Sequence, residues 1–143
     1  MLDSINIDSQ VPVYEQIENQ VIFAVAGSDL KSGDQLPSVR ELSERLALNP
    51  NTIAKAYRDL EVMEIVYTRR GMGVYIAPGA ESKCRAKTRK HLVGRIYEVV
   101  CEAKAAGMSD SEFKKLSSTA FSEQGTLYGP LPQNLEKESR AKK

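Results

Sequence analysis

Between Asn49 and Arg58 the chain places two amides, a hydroxyl and two cations: Asn49, Asn51, Thr52, Lys55 and Arg58. Ser38 and Arg40 lie upstream, and Arg69-Arg70-Gly71 lie downstream. These groups are poor at moving protons or ligating metals, but they donate and accept hydrogen bonds. Asn suits the edge of adenine, Lys and Arg suit guanine edges, and both cations suit phosphates. Catalytic chemistry is not visible elsewhere. His91 is the only histidine and has no Cys, Asp or Glu at ligand spacing, so a structural or surface role is expected and no metal. Cys84 and Cys101 match no metal or redox spacing, and Cys101, near an apolar stripe, reads as a small core residue. No catalytic residue and no cofactor are expected.

Two short helices must hold the polar groups. Ser38 and Glu41 form a capping-box pattern, with Val39, Leu42 and Leu46 on one side of the helix that follows. Asn49 is an N-cap candidate and Pro50 suits the first helical position. Ile53, Ala56, Tyr57 and Leu60 recur at i, i+3, i+4 and i+7, which makes them the buried face. Elimination leaves Asn51, Lys55 and Arg58 exposed, flanked by Thr52 and Ala54. A helix of Val13, Ile17, Val21 and Ala24 precedes this pair, with residues 1–10 extended and poorly specified. After it, Ile65–Arg69 and Val74–Ala77 flank Arg70-Gly71-Met72-Gly73 and read as a β-hairpin, a wing.

The pieces Leu30–Leu42, Asn49-Pro50-Asn51-Thr52, Ala56-Tyr57, Leu60-Glu61 and Arg69-Arg70-Gly71-Met72-Gly73 occur in order. Through them the region from Val13 to Ile76 resembles the winged helix-turn-helix domain of the GntR family of bacterial transcription regulators, in its YtrA-type branch. That resemblance implies DNA contacts from Ser38, Arg40, Asn49, Asn51, Thr52, Lys55, Arg58, Arg69, Arg70 and Gly71. Other roles stand beside these: Asn49 caps its helix, Arg40 is a surface residue, Arg58 pairs with a carboxylate, and Gly71 makes the turn. Glu64 stands where the family usually has glycine, which leaves the placement of the wing open.

The composition changes at Ala80. Lys83, Arg85, Lys87, Arg89 and Lys90 crowd together as a solvated linker or helix start, with a second DNA contact as the rival reading. Leu92, Ile96, Val99 and Ala103 then recur at helical spacing, with Val100 beside them. Ser109 and Glu112 cap a further helix carrying Phe113, Leu116 and Ala120. These two helices are too short to bury their own stripe, so Leu92, Ile96, Val99, Val100, Ala103, Phe113 and Leu116 are expected to pair with a second copy, with a monomer whose helices fold onto the winged domain as the rival reading.

The expected fold is mostly α with a small β-wing: a winged helix-turn-helix domain over 1–79, a helical dimerisation region over 80–123 and a disordered tail over 124–143. The 143 residues leave no room for a large effector domain, and a pocket for a small-molecule effector would lie between copies. The net charge of +1 requires that DNA be bound by placed groups and not by bulk charge. Two thiols and no signal or membrane segment point to the cytoplasm. The function expected is a dimeric repressor on a palindromic operator; the rival is a winged-helix protein-interaction module without a DNA target.

Overall fold

The computed structural model describes residues 2–140. Its elements are α1 (Val13–Ala26), α2 (Val39–Leu46), α3 (Pro50–Val62), β1 (Val66–Arg69), β2 (Gly73–Ile76), α4 (Ala80–Ala105), α5 (Asp110–Ser122) and α6 (Gln133–Arg140). The chain divides into two units, up to Lys90 and from His91 on.

In the first unit, α1 and α2 pack on α3. Ile17 and Val21 of α1, Leu42 of α2 and Ile53, Ala56 and Leu60 of α3 are fully buried. Helical spacing puts each set on one face, and burial of those faces is what holds three short helices together. The strands pair antiparallel, with Val66 opposite Ile76 and Arg69 opposite Gly73. Residues 33–36 run along β2. Gly33 N–H donates to Ile76 O at 2.9 Å, Ile76 N–H to Asp34 O at 2.8 Å, and Leu36 N–H to Val74 O at 2.8 Å.

The N-terminal arm departs from the sequence reading. Leu2 is fully buried, and Gln16 and Gln20 of α1 are buried beneath the arm. Gln16 Nε2 donates to Asn6 O and Val11 O, both at 2.8 Å, and Gln16 Oε1 accepts from Asn6 N–H at 2.9 Å. Gln20 Nε2 donates to Ser4 O at 2.7 Å. Buried amides must be satisfied, and the arm's own backbone satisfies them.

Helices α1, α3 and α4 end in the Schellman pattern, with the two residues after the cap bonded to separate carbonyls of the last turn, while after α2 the left-handed Ala47 and Leu48 both bond to Ser43 O. After α4 the left-handed residue is Gly107, the natural choice. After α1 it is Ser28 and after α3 it is Glu64, with φ of +65° and +60°. Glu64 N–H donates to Glu61 O at 2.9 Å, and Ile65 N–H to Leu60 O at 3.0 Å. The turn keeps its shape with glutamate, at a conformational cost of about 1 to 2 kcal/mol.

The basic segment 83–90 is helical and forms the start of α4. Ala80, Cys84 and Thr88 repeat every fourth residue and are buried. Lys83 Nζ lies 3.0 Å from Glu64 Oε2, and Lys87 Nζ lies 3.0 Å from Met63 Sδ. This stretch therefore packs beside the end of α3.

In the second unit neither α5 nor α6 has a buried residue. Cys101, expected in a core, is exposed, as are Leu92, Ile96 and Val99 of the stripe beside it. Within the tail 124–143, expected to be disordered, Gln133–Arg140 form α6, which starts after Pro132 and carries an Arg140–Glu136 pair at 2.7 Å; residues 141–143 lie outside the described residues. The α5 cap is as expected: Ser109 Oγ accepts from Glu112 N–H at 3.2 Å.

Candidate nucleic-acid interface

The polar groups gather at the N-terminal ends of α2 and α3 and at the turn between β1 and β2. Ser38 Oγ accepts from Glu41 N–H at 3.0 Å, which starts α2 and leaves Arg40 in its first turn. Arg40 Nε lies 3.1 Å from Glu44 Oε1, but its side chain is 89% exposed. A pair this exposed is weak and exchanges readily for another anion.

Asn49 Oδ1 accepts from Asn51 N–H at 2.9 Å, so capping, one of the two roles open to Asn49, is met by its oxygen. Pro50 follows at the first helical position. Asn51 is exposed and Thr52 half-buried, and among the described residues the side chains of both are without hydrogen bonds. Tyr57 fixes this end of α3 from behind: its OH donates to Pro37 O at 2.7 Å, one residue before the α2 cap. Burial pushes its phenol well above the usual range.

Lys55 is exposed but engaged. Its Nζ lies 3.0 Å from Asp59 Oδ2 and 4.3 Å from the centre of the Tyr14 ring, on the flank of α3 that meets α1. The hydrogen bond to Asp59 raises the lysine's pKa. Behind it, Glu18 has an Oε1 that is closed off from solvent and accepts no hydrogen bond. Burial first, then the Asp59 carboxylate, and then Glu15, raise the Glu18 pKa to about 7, against the pull of Lys55. Asp59 is lowered in turn, by its hydrogen bonds with Glu18 and Lys55. The opposite shifts mean that, of the two acids, Glu18 holds a proton more readily than Asp59. Arg58 is exposed and, among the described residues, unpaired.

At the wing, Met72 N–H donates to Arg69 O at 2.9 Å and closes the turn, with Gly71 at φ +76°. Arg69 lies with its guanidinium 5.7 Å from the centre of the Tyr75 ring, and Tyr75 stacks on Tyr67 with ring centres 5.8 Å apart. Arg70 is exposed and unpaired among the described residues. Glu61 Oε1 accepts from Thr68 N–H at 3.2 Å, which ties β1 to α3. Gln35 and the exposed Met72 also sit at this tip. Neither is singled out by its residue type or spacing, because the bond between them joins segments far apart in the chain. Among the described residues no group of three or more His, Cys, Asp or Glu could hold a metal ion.

The model of the family described as "Bacterial regulatory proteins, gntR family" matches residues 13–76. Two relatives from Bacillus subtilis extend the similarity. The HTH-type transcriptional repressor YtrA is 38% identical over 108 residues, covering 76% of this chain and 81% of the relative. YhcF, an uncharacterised HTH-type transcriptional regulator, is 40% identical over 94 residues, covering 64% of this chain and 78% of the relative. The chain belongs to the GntR family. Among solved structures, a transcriptional regulator from Oenococcus oeni superposes with a TM-score of 0.63 at 31% identity, covering 82% of this chain and 98% of that one. YtrA from Sulfolobus acidocaldarius, described as a GntR-family transcription factor, has a TM-score of 0.54 at 30% identity, covering 71% and 99%. This GntR-family transcription regulator is thus mostly helical with a two-stranded wing, and its similarity to two proteins named YtrA agrees with the YtrA-type branch that the sequence resembles.

Proposed function

We propose that this GntR-family regulator binds double-stranded DNA as a homodimer and represses transcription from a palindromic operator. One observation carries the reading: free side chains at the start of α3 (Asn51, Thr52), Arg40 in the first turn of α2, and Arg70 at the wing tip belong to one folded unit. The N-terminal end of the second helix enters the major groove, where Asn51 and Thr52 read base edges. Asn49 caps α3, and Ser38 with Arg40 takes the adjacent phosphate, helped by the N–H groups of the first turn of α2. Arg69, Arg70 and Gly71 approach the sugar-phosphate surface and the minor groove. Lys55 and Arg58 supply phosphate contacts, for which Lys55 exchanges Asp59 for the DNA.

The second unit supplies the pairing. Leu92, Ile96 and Val99 are exposed, while Val100, Ala103, Phe113 and Leu116 are half-buried. Tyr97 and Val93 widen the exposed face at 71% and 59% exposure. A two-fold dimer through this face sets two reading helices on successive half-sites. No helix of the described residues is long and apolar enough to cross a membrane. A cytoplasmic regulator without catalytic activity is the reading that fits. Any small-molecule effector would bind between the two copies.

A gel shift against the DNA upstream of its own gene, at two salt concentrations, tests this. Specific binding that weakens with salt and is lost in Asn51→Ala or Arg40→Ala supports it. Absence of binding to any duplex at low salt favours a protein-interaction module instead.

A further inference from the structure

We infer that Gln35 is the positioning residue of the wing, setting the tip that the DNA-binding reading above places on the minor groove. The strand-like segment 33–36 runs along β2 by backbone hydrogen bonds, and Gln35 itself pairs with Tyr75. Its side chain goes further, to the turn. Gln35 Nε2 donates to Met72 O at 3.0 Å, and Tyr75 OH donates to the same oxygen at 3.2 Å. The wing tip therefore hangs from a carbonyl held by two donors outside the turn.

Gly73 shows how closely the amide is fitted. A Cβ there would come within 2.6 Å of Gln35 Nε2, and the backbone sits at φ +119°. The glycine thus makes room for Gln35 as well as for the turn. The same short segment continues into Pro37, whose carbonyl accepts from Tyr57, and into Ser38, which caps α2. Wing tip, start of α2 and α3 are registered through one strap of a few residues. An exposed hydrogen bond adds little to stability. Holding Arg69, Arg70 and Gly71 in one place before DNA arrives instead lowers the ordering cost of binding.

The test uses the full chain with Gln35→Ala, Gln35→Glu and Gln35→Lys. Glutamate loses the donor and lysine keeps one. Hydrogen exchange at the Met72 amide, bonded to Arg69 O, reports on the tip without DNA. Exchange is expected to quicken in Gln35→Ala and Gln35→Glu and to stay slow in Gln35→Lys, with the melting temperature unchanged. Affinity for the upstream duplex is expected to fall about fivefold in the first two variants. Adding Arg70→Ala to Gln35→Ala is expected to cost less than Arg70→Ala costs alone. Unchanged exchange overturns the inference whatever the DNA result. Faster exchange with unchanged affinity, or full additivity with Arg70→Ala, overturns it too. Failure of the wild type to bind any duplex defeats the functional reading, and exchange then still decides whether Gln35 holds the tip.

Discussion

The two units of this chain treat their apolar side chains in opposite ways. Up to Lys90, Ile17, Leu42, Ile53, Leu60 and Ile76 are fully buried, and even the buried glutamines find backbone partners. From His91 on, Ile96 and Tyr97 stand 60% and 71% exposed, and α5 and α6 bury nothing. Both stretches have helical apolar spacing. The first has three helices and a hairpin to close a core. The second leaves Leu92, Ile96 and Val99 of its helices exposed; burial of such apolar surface, worth about 25 cal/mol per Å², is what the proposed pairing with a second copy would supply.

Core truncation is the largest way to break this contrast. Leu60→Ala is expected to destabilise the first unit by about 2 to 5 kcal/mol, read from a urea unfolding curve. Ile96→Asp is expected to leave that unfolding transition in place. It should convert a dimer to a monomer by light scattering and weaken operator binding about 100-fold by removing the second half-site. If Ile96→Asp unfolds the first unit, the two units do not divide the work as described.

Smaller effects sharpen the account of the first unit. Glu18, with its pKa raised to about 7 chiefly by burial, favours the folded state in its protonated form. Its contribution is fully present below the usual value of 4.5 and is lost as pH rises through about 7. Stability should therefore decline across that window. Glu18→Gln should flatten the decline and gain about 1 kcal/mol at pH 8, a value discounted for the solvent that reaches this site. Thermal melts at several pH values check this. Glu64→Gly should relieve the left-handed turn after α3 and gain about 0.5 to 1 kcal/mol, despite losing the exposed pair with Lys83. A lower melting point would show that the Lys83 link outweighs the backbone relief.

Local signals were the legible ones. Ser38 and Asn49 cap where their spacing implies, and Ile53, Ala56, Tyr57 and Leu60 are buried as their period requires. The hairpin also forms where β-branched and aromatic residues flank the glycine turn. What escaped the sequence depends on partners distant along the chain. Gln16 and Gln20 look like polar interruptions of a stripe until the N-terminal arm lies over them. Elimination places Lys55 on the exposed face, and it is exposed, but its ammonium lies over the Tyr14 ring of α1 while pairing with Asp59 of its own helix. At the start of α4 the buried Ala80, Cys84 and Thr88 row is small and hidden among bases. The strain at Glu64 was foreseeable from the glycine usual at that place in the family, but the survival of the Schellman turn was not.

The central claim is that one unit reads DNA and the other pairs two copies. Hydroxyl-radical footprinting of the full chain on its upstream DNA tests it most directly. The account predicts two symmetric protected half-sites centred about one helical turn, roughly 34 Å, apart, or a multiple of that spacing. A single unpaired footprint would contradict the pairing, and uniform cleavage at saturating protein would contradict the reading of DNA itself.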